Sequence, residues 1–231
     1  MEQAFNSTDT GKMDLVVSNL RTNRKGLGNF STNIFRKRGN GQTVPLIIET
    51  DIFPSNGVYE FGDVKKNVTF IVKKDASKCL TSLLSAISHD SFGELVKVIK
   101  NSKLDKLPTK LFQNPTLEDC MKPIFGSEDT AWFKLDKHCK IFNDKGEELK
   151  KLPKKGYYKA RLRVSGFYIG THGNQNYCCS LRVYVEQIAV RETETEVPQQ
   201  LVLQLGDFEQ FFPQPKDELP KNAPPKKKLK I

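Results

Sequence analysis

The sequence predicts a mainly β protein with a helical insertion, an antiparallel barrel or strongly twisted sheet over residues 43–190. A flexible basic arm, 1–42, precedes it, and a C-terminal tail, 191–231, acidic and then basic, follows it. Three observations carry this prediction. "YYKARLRVSGFYIG", Tyr157 to Gly170, alternates with period two: Tyr158, Ala160, Leu162 and Val164 on one parity, Lys159, Arg161, Arg163 and Ser165 on the other. "YCCSLRVYVEQIAV", Tyr177 to Val190, alternates as strongly, with Leu181, Val183 and Val185 inward and Arg182 and Tyr184 outward. The period changes to that of a helix only within about 75–122, so helices do not alternate with strands as a parallel sheet would require.

From Leu15 to Ile48 the arm has no acidic residue and six cations, Arg21, Arg24, Lys25, Arg36, Lys37 and Arg38, with Phe30 and Phe35 between the two basic clusters. Glycine- and cation-rich composition of this kind buries little core by itself and reads as a clamp that orders on a polyanion. Strand-like runs follow at 44–49, 57–62 and 67–74. In the insertion, Cys79, Leu80, Leu83, Leu84 and Ile87 fall at helical spacing behind a cap at Asp75 or Ser77, and a second short helix is expected from Ser91. Pro108, Pro115 and Pro123 punctuate the irregular stretch after it. "TAWFKLDKHCKIF", 130–142, returns to alternation, with Trp132, Lys134, His138, Lys140 and Phe142 on the outward parity, and "NDKG" is a turn. Beyond Val190 lie seven acids against two bases up to residue 219, and then "KNAPPKKKLKI" with five lysines.

A formal net charge of +10 favours a polyanionic partner, nucleic acid before an anionic membrane. No apolar run is long enough to span a bilayer, and "MEQAFNSTDTGKMD" lacks the apolar region of a signal peptide, so an intracellular protein with no membrane partner is expected. Five cysteines in such a chain read as reduced thiols.

The outward faces of the three long strands mix cations with flat rings. Cations track phosphates while rings stack on unpaired bases, a combination suited to single-stranded nucleic acid and indifferent to sequence. The alternative is a solvated sheet face with aromatic cross-strand pairs. The candidates for backbone contact are Arg21, Arg24, Lys25, Arg36, Lys37, Arg38, Lys134, Lys140, Lys159, Arg161, Arg163 and Arg182. Those for base stacking are Phe30, Phe35, Trp132, Tyr168 and Tyr184.

Catalysis finds little support. There is no G-x-S-x-G elbow and no G-x-x-x-x-G-K-[ST] loop, and only His89, His138 and His172 could serve a triad. His138, Cys139, His172, Cys178 and Cys179 lack the spacing of structural zinc, and adjacent residues of a strand point to opposite faces. No enzyme activity, metal or cofactor is expected. In "PPKKKLKI", Lys226, Lys227, Lys228 and Lys230 after prolines resemble a monopartite nuclear import signal.

The stretch Thr130 to Val190 resembles the OB-fold single-stranded DNA-binding proteins of tailed phages and large eukaryotic DNA viruses, including the baculovirus-type DNA-binding protein. The resemblance is carried by "AWFKLDKHCKIFNDKGEEL", the "LPKKG" lead-in at 152–156, "VSGFYIG" and the closing "YCCSLRVYVEQIAV". Gly156, Val164 with Tyr168, and Leu181, Val183, Ile188 and Val190 fill the places of that family's turn and strands. It implies an OB-like antiparallel β-barrel that coats unpaired DNA during viral replication, recombination or annealing, and the basic tail adds the expectation of a host nucleus. The expected partners are single-stranded DNA, with RNA a second candidate, other copies of the chain through the apolar "LVLQLGDFEQFF", and replication proteins through the tail. A structural protein packaging duplex DNA through its basic arm is the alternative.

Overall fold

The computed structural model describes residues 5–6, 13–22, 29–55, 58–60, 68–74, 78–102, 116, 120–126, 129–171 and 177–192. Twelve strands and one helix follow in chain order: β1 (Phe5–Asn6), β2 (Leu15–Val17), β3 (Arg21–Thr22), β4 (Phe30–Ser31), β5 (Ile34–Lys37), β6 (Thr43–Glu49), β7 (Phe53–Ser55), β8 (Val58–Glu60), β9 (Val68–Lys73), α1 (Lys78–Lys100), β10 (Thr130–Asn143), β11 (Gly156–Thr171) and β12 (Tyr177–Glu192).

The longest strands, β11 and β12, form the centre, paired antiparallel from Gly156 opposite Glu192 to Thr171 opposite Tyr177. The expected parity holds on the inner side: Tyr158, Ala160, Leu162 and Val164 of β11 are buried with Val183, Val185, Ile188 and Val190 of β12. The outer edge of β11 is shared by three short partners in sequence, β7 at Gly156–Tyr158, β6 at Arg161–Val164 and β4 at Tyr168–Ile169. Beyond β12 come β10, β9 and β8.

The structure departs from expectation in four places. First, β10 pairs with β12 in parallel, not in a hairpin with β11. Strands joined by a tight turn must be antiparallel neighbours, whereas the connection here, residues 144–155, is long enough to place β12 between the two. Second, the strand path runs from β2 to β8, and among the described residues these ends do not pair, so the described strands form an open sheet. Third, the described residues of the expected arm belong to the sheet. Strand β2 pairs with β5, β5 with β6, and β4 with β11, and Met13, Leu15, Val17, Phe30 and Ile34 enter the core. The segment cannot build a core alone, but it can cover an existing one.

Fourth, the insertion holds one continuous helix through Ser91. Leu80, Leu83, Leu84, Ile87, Leu95 and Ile99 form one buried stripe at helical spacing. Ser88 donates to the Leu84 carbonyl at 2.9 Å and Ser91 to that of Ile87, so these buried hydroxyls are satisfied within the helix and need not end it. Lys97 and Lys100 sit in the last turn, where cations complement the helix dipole. The proposed caps, Asp75 and Ser77, lie outside the described residues. The stripe joins the same core as the sheet, beside β2.

The crossing of the N-terminal chain over β11 needs a glycine. The β11–β12 register slips between Val164 and Gly166, and Gly166 takes φ +136°, a conformation side chains rarely adopt. A Cβ there would stand 2.0 Å from the Thr32 carbonyl oxygen. Thr32 donates its amide to the Phe167 carbonyl at 3.0 Å. Substituting Gly166→Ala is therefore expected to lower unfolding free energy by about 2–3 kcal/mol in urea titration. Gly39→Ala, with nothing within 4 Å of its Cβ, should stay within about 0.5 kcal/mol of the parent.

Candidate nucleic-acid interface

Opposed residues of paired strands share a face, so the register assembles the outward surface row by row. One row runs Arg21 (β3), Ser31 (β4), Tyr168 (β11), Ser180 (β12). After Arg182, which opposes Gly166, the next runs Ile47 (β6), Arg163 (β11), Tyr184 (β12), Lys134 (β10). A third runs Glu49, Arg161, Gln187, Lys140, and a fourth Lys159, Ala189, Phe142. Trp132 precedes Lys134 by two residues on the same face and is 48% exposed, the one large apolar side chain so exposed among the described residues.

Trp132, Lys134, Arg182, Tyr184, Ser180 and Lys122 line an open groove of about 460 Å³. Lys122 carries no strand periodicity and escapes a sequence reading. Its amide donates to the Cys179 carbonyl at 2.7 Å, beside a bridge between Met121 and Cys179, and this places it at the groove. The groove thus joins two exposed ammonium groups, an arginine, an exposed indole and a half-buried phenol.

The arginines of the central strands are engaged by the protein, which changes the expected row of cations. Arg163 donates Nη2 to Asp136 Oδ2 at 2.7 Å, and its Nε lies 3.0 Å from Glu186 Oε1, an ion pair by distance without hydrogen-bond alignment. Its guanidinium stands 5.8 Å from the centroid of the Tyr184 ring, at cation–π range. Arg161 pairs with Glu49 at 3.5 Å. Arg182 donates to the Thr32 carbonyl at 3.1 Å, tying the N-terminal crossing to the sheet. Lys134 and Lys140 are exposed and have no carboxylate partner among the described residues. Charge available to a phosphate is thus carried by lysines, while the arginines fix the scaffold.

The remaining candidates are dispersed. Phe30 is fully buried, wedged beneath the sheet edge by its pairing with β11, and cannot stack on a base. Phe35 is half-buried between Val16 and Pro45, and Lys37 of the same strand is exposed. Arg36 and Arg38 are half-buried, Arg36 opposite the buried Leu15 and Val44. Tyr168 is half-buried, and its ring lies against Gly170. Lys159 is half-buried at the far end of the face. Phe142, expected outward, is buried where Glu148 of the following loop bridges back to it. Arg24, Lys25, Lys226, Lys227, Lys228 and Lys230 lie outside the described residues.

The acids that hold Arg163 leave a mark on Cys139. Burial, and then the charges of Asp136 and Glu186, push its thiol from an ordinary 9.0 up to about 12. Since the thiolate is the nucleophile, iodoacetamide labelling of Cys139, mapped by mass spectrometry, should still rise about tenfold per pH unit at pH 10–11. In the urea-unfolded chain it should level off near pH 9–10. A raised pKa favours the protonated native state, so this contribution to stability is full below pH 9 and is lost as pH rises toward about 12.

No family model and no curated protein matches the chain. Among solved structures, gp2.5, a single-stranded DNA-binding protein encoded by bacteriophage T7, aligns with TM-score 0.38 and 14% identity over 67% of this chain and 96% of its own. The single-stranded DNA-binding protein of bacteriophage Enc34 aligns with TM-score 0.35 and 9% identity over 83% of this chain and 100% of its own. Its complex with single-stranded DNA aligns with TM-score 0.33 and 10% identity over 78% and 98%. Likeness at this level carries no assignment of function, and a baculovirus-type protein is not among these three.

Proposed function

We propose that the chain is a non-catalytic, sequence-independent binder of single-stranded DNA that uses this OB-like sheet face. The observation that carries the reading is the groove in which exposed Trp132 stands beside Lys134, Lys122 and Tyr184. An indole of this exposure is costly in water, whereas a base stacked on it removes both surfaces from solvent. Stacking contributes about 1–3 kcal/mol per base whatever its identity, and the adjacent ammonium groups hold the phosphates. We propose replication, recombination or annealing of viral DNA as the process that this binding serves.

Titrating Trp132 fluorescence with oligonucleotides tests the proposal. Single strands should quench the signal and bind more tightly than duplex, and Trp132→Ala and Tyr184→Ala should each weaken binding, followed by anisotropy, by about 1–3 kcal/mol. Lys134→Ala should reduce the slope of log K against log salt by about 0.7. A flat salt response or equal affinity for duplex overturns the reading, and a preference for duplex favours a packaging role. The basic tail is proposed as a nuclear address: deleting 224–231 should leave DNA binding nearly unchanged and move the protein out of the nucleus, and unchanged localisation refutes it.

A further inference from the structure

The connection between β10 and β11 holds a second concentration of charge away from the groove. Lys150, Lys151 and Lys154 are exposed. The sequence has no acidic residue from Leu149 to Val185. Acids do occur at the start of the connection: Asp144 pairs with Arg191 at 3.2 Å, Glu147 accepts from the Asn143 amide side chain at 2.8 Å, and Glu148 is exposed. From Leu149 onward the connection carries lysines alone as charged residues.

The lysines stand on a braced loop. Asn143 donates its amide to the Glu147 carbonyl at 2.9 Å, and Leu149 donates to that of Ile141 at 2.7 Å. The Tyr158 hydroxyl donates to the Pro153 carbonyl at 2.8 Å, and Leu149 and Leu152 pack on the core. Burial, and then the charge of Glu192, raises the Tyr158 pKa above its ordinary value, so the hydroxyl that braces Pro153 stays protonated into alkaline solution. Cations mounted this way lose less freedom on binding than cations on a free tail.

The loop also lies in line with the face. Its first end leaves β10 at Asn143, just beyond Phe142, and its second enters β11 at Gly156, just before Lys159. Phe142 and Lys159 belong to one row, the row after that of Lys140. Along β10, Trp132, Lys134 and Lys140 therefore lead toward Lys150, Lys151 and Lys154.

We propose that the loop 149–155 is a second phosphate-binding segment, over which a single strand seated on the sheet face continues past the end of β10. This rests on the binding function proposed above. It requires the bound strand to run along β10 and the site to be longer than the groove.

The experiment compares the full chain with the Lys150→Ala/Lys151→Ala/Lys154→Ala variant, using oligothymidylates of graded length in fluorescence anisotropy. The shortest strands that bind should bind both proteins equally. As length increases, the parent should gain affinity, the variant should lack that gain, and its salt slope should be lower by about 2, three times 0.7. The Lys→Arg triple variant should restore parental behaviour. Urea titration checks that the Ala variant keeps the parent's stability, since the three side chains are exposed. Equal affinity and slope of variant and parent on long strands overturn the loop assignment alone. Equal loss on strands of every length also overturns it, because the loop would then act as a general attractor of anions. A parent that binds no oligothymidylate overturns the function on which the assignment rests.

Discussion

The antiparallel pairing of β11 with β12 is the constraint on which the rest of the protein depends. It is unbroken in extent, from Gly156 to Thr171, and irregular at two places, after Arg161 and after Val164. Side chains alternate strictly along a strand, so each irregularity resets which residues face outward. The second turns Phe167 and Ile169 into the core and leaves Tyr168 on the same face as Ser180. Every other strand of the sheet reaches this pair directly or through one or two neighbours, and so inherits its register.

The face built on this frame separates two uses of positive charge. A guanidinium can hold carboxylates and carbonyls in fixed geometry and also lie over a ring, and Arg163 does so with Asp136, Glu186 and Tyr184. An ammonium group is a compact charge that keeps its hydration and exchanges partners easily, and the exposed lysines of β10 are of this kind. Arg163 between two acids adds little net attraction for an anion. Its effect on a ligand would come through Tyr184, one side of whose ring faces the guanidinium. The groove therefore rests on a rigid arginine–acid lattice with lysines at its surface.

Much of this was legible in the sequence. The alternation at Tyr158–Val164 and Leu181–Val185 identified the inner and outer sides of the two central strands, and the outward parity of β10 named Trp132, Lys134 and Lys140. The spacing of Leu80, Leu83, Leu84 and Ile87 identified the helix. What escaped depends on contacts between distant parts of the chain. Glu49 and Asp136 neutralise arginines of β11 from other strands, and no local pattern announces that pairing. Phe30 sits in a glycine- and cation-rich context that reads as solvent-exposed until β11 supplies an edge for β4. Phe142 follows the outward parity but is covered by the loop after it. Lys122 owes its place to a single backbone bridge after a stretch of prolines.

The central pair is also the part of the described sheet that is synthesised last. Strands β4, β6 and β7 pair with β11, and β10 pairs with β12, so the early strands wait for residues after 156 before their edges are filled. At about 5–20 residues per second, the 137 positions between Ser31 and its partner Tyr168 take on the order of ten seconds to emerge. Pairing over such separations is slow, because loop closure precedes the contacts that reward it. During that interval the basic N-terminal strands have open edges. A nascent chain of this design is exposed to aggregation early and gains cooperative stability in one late step.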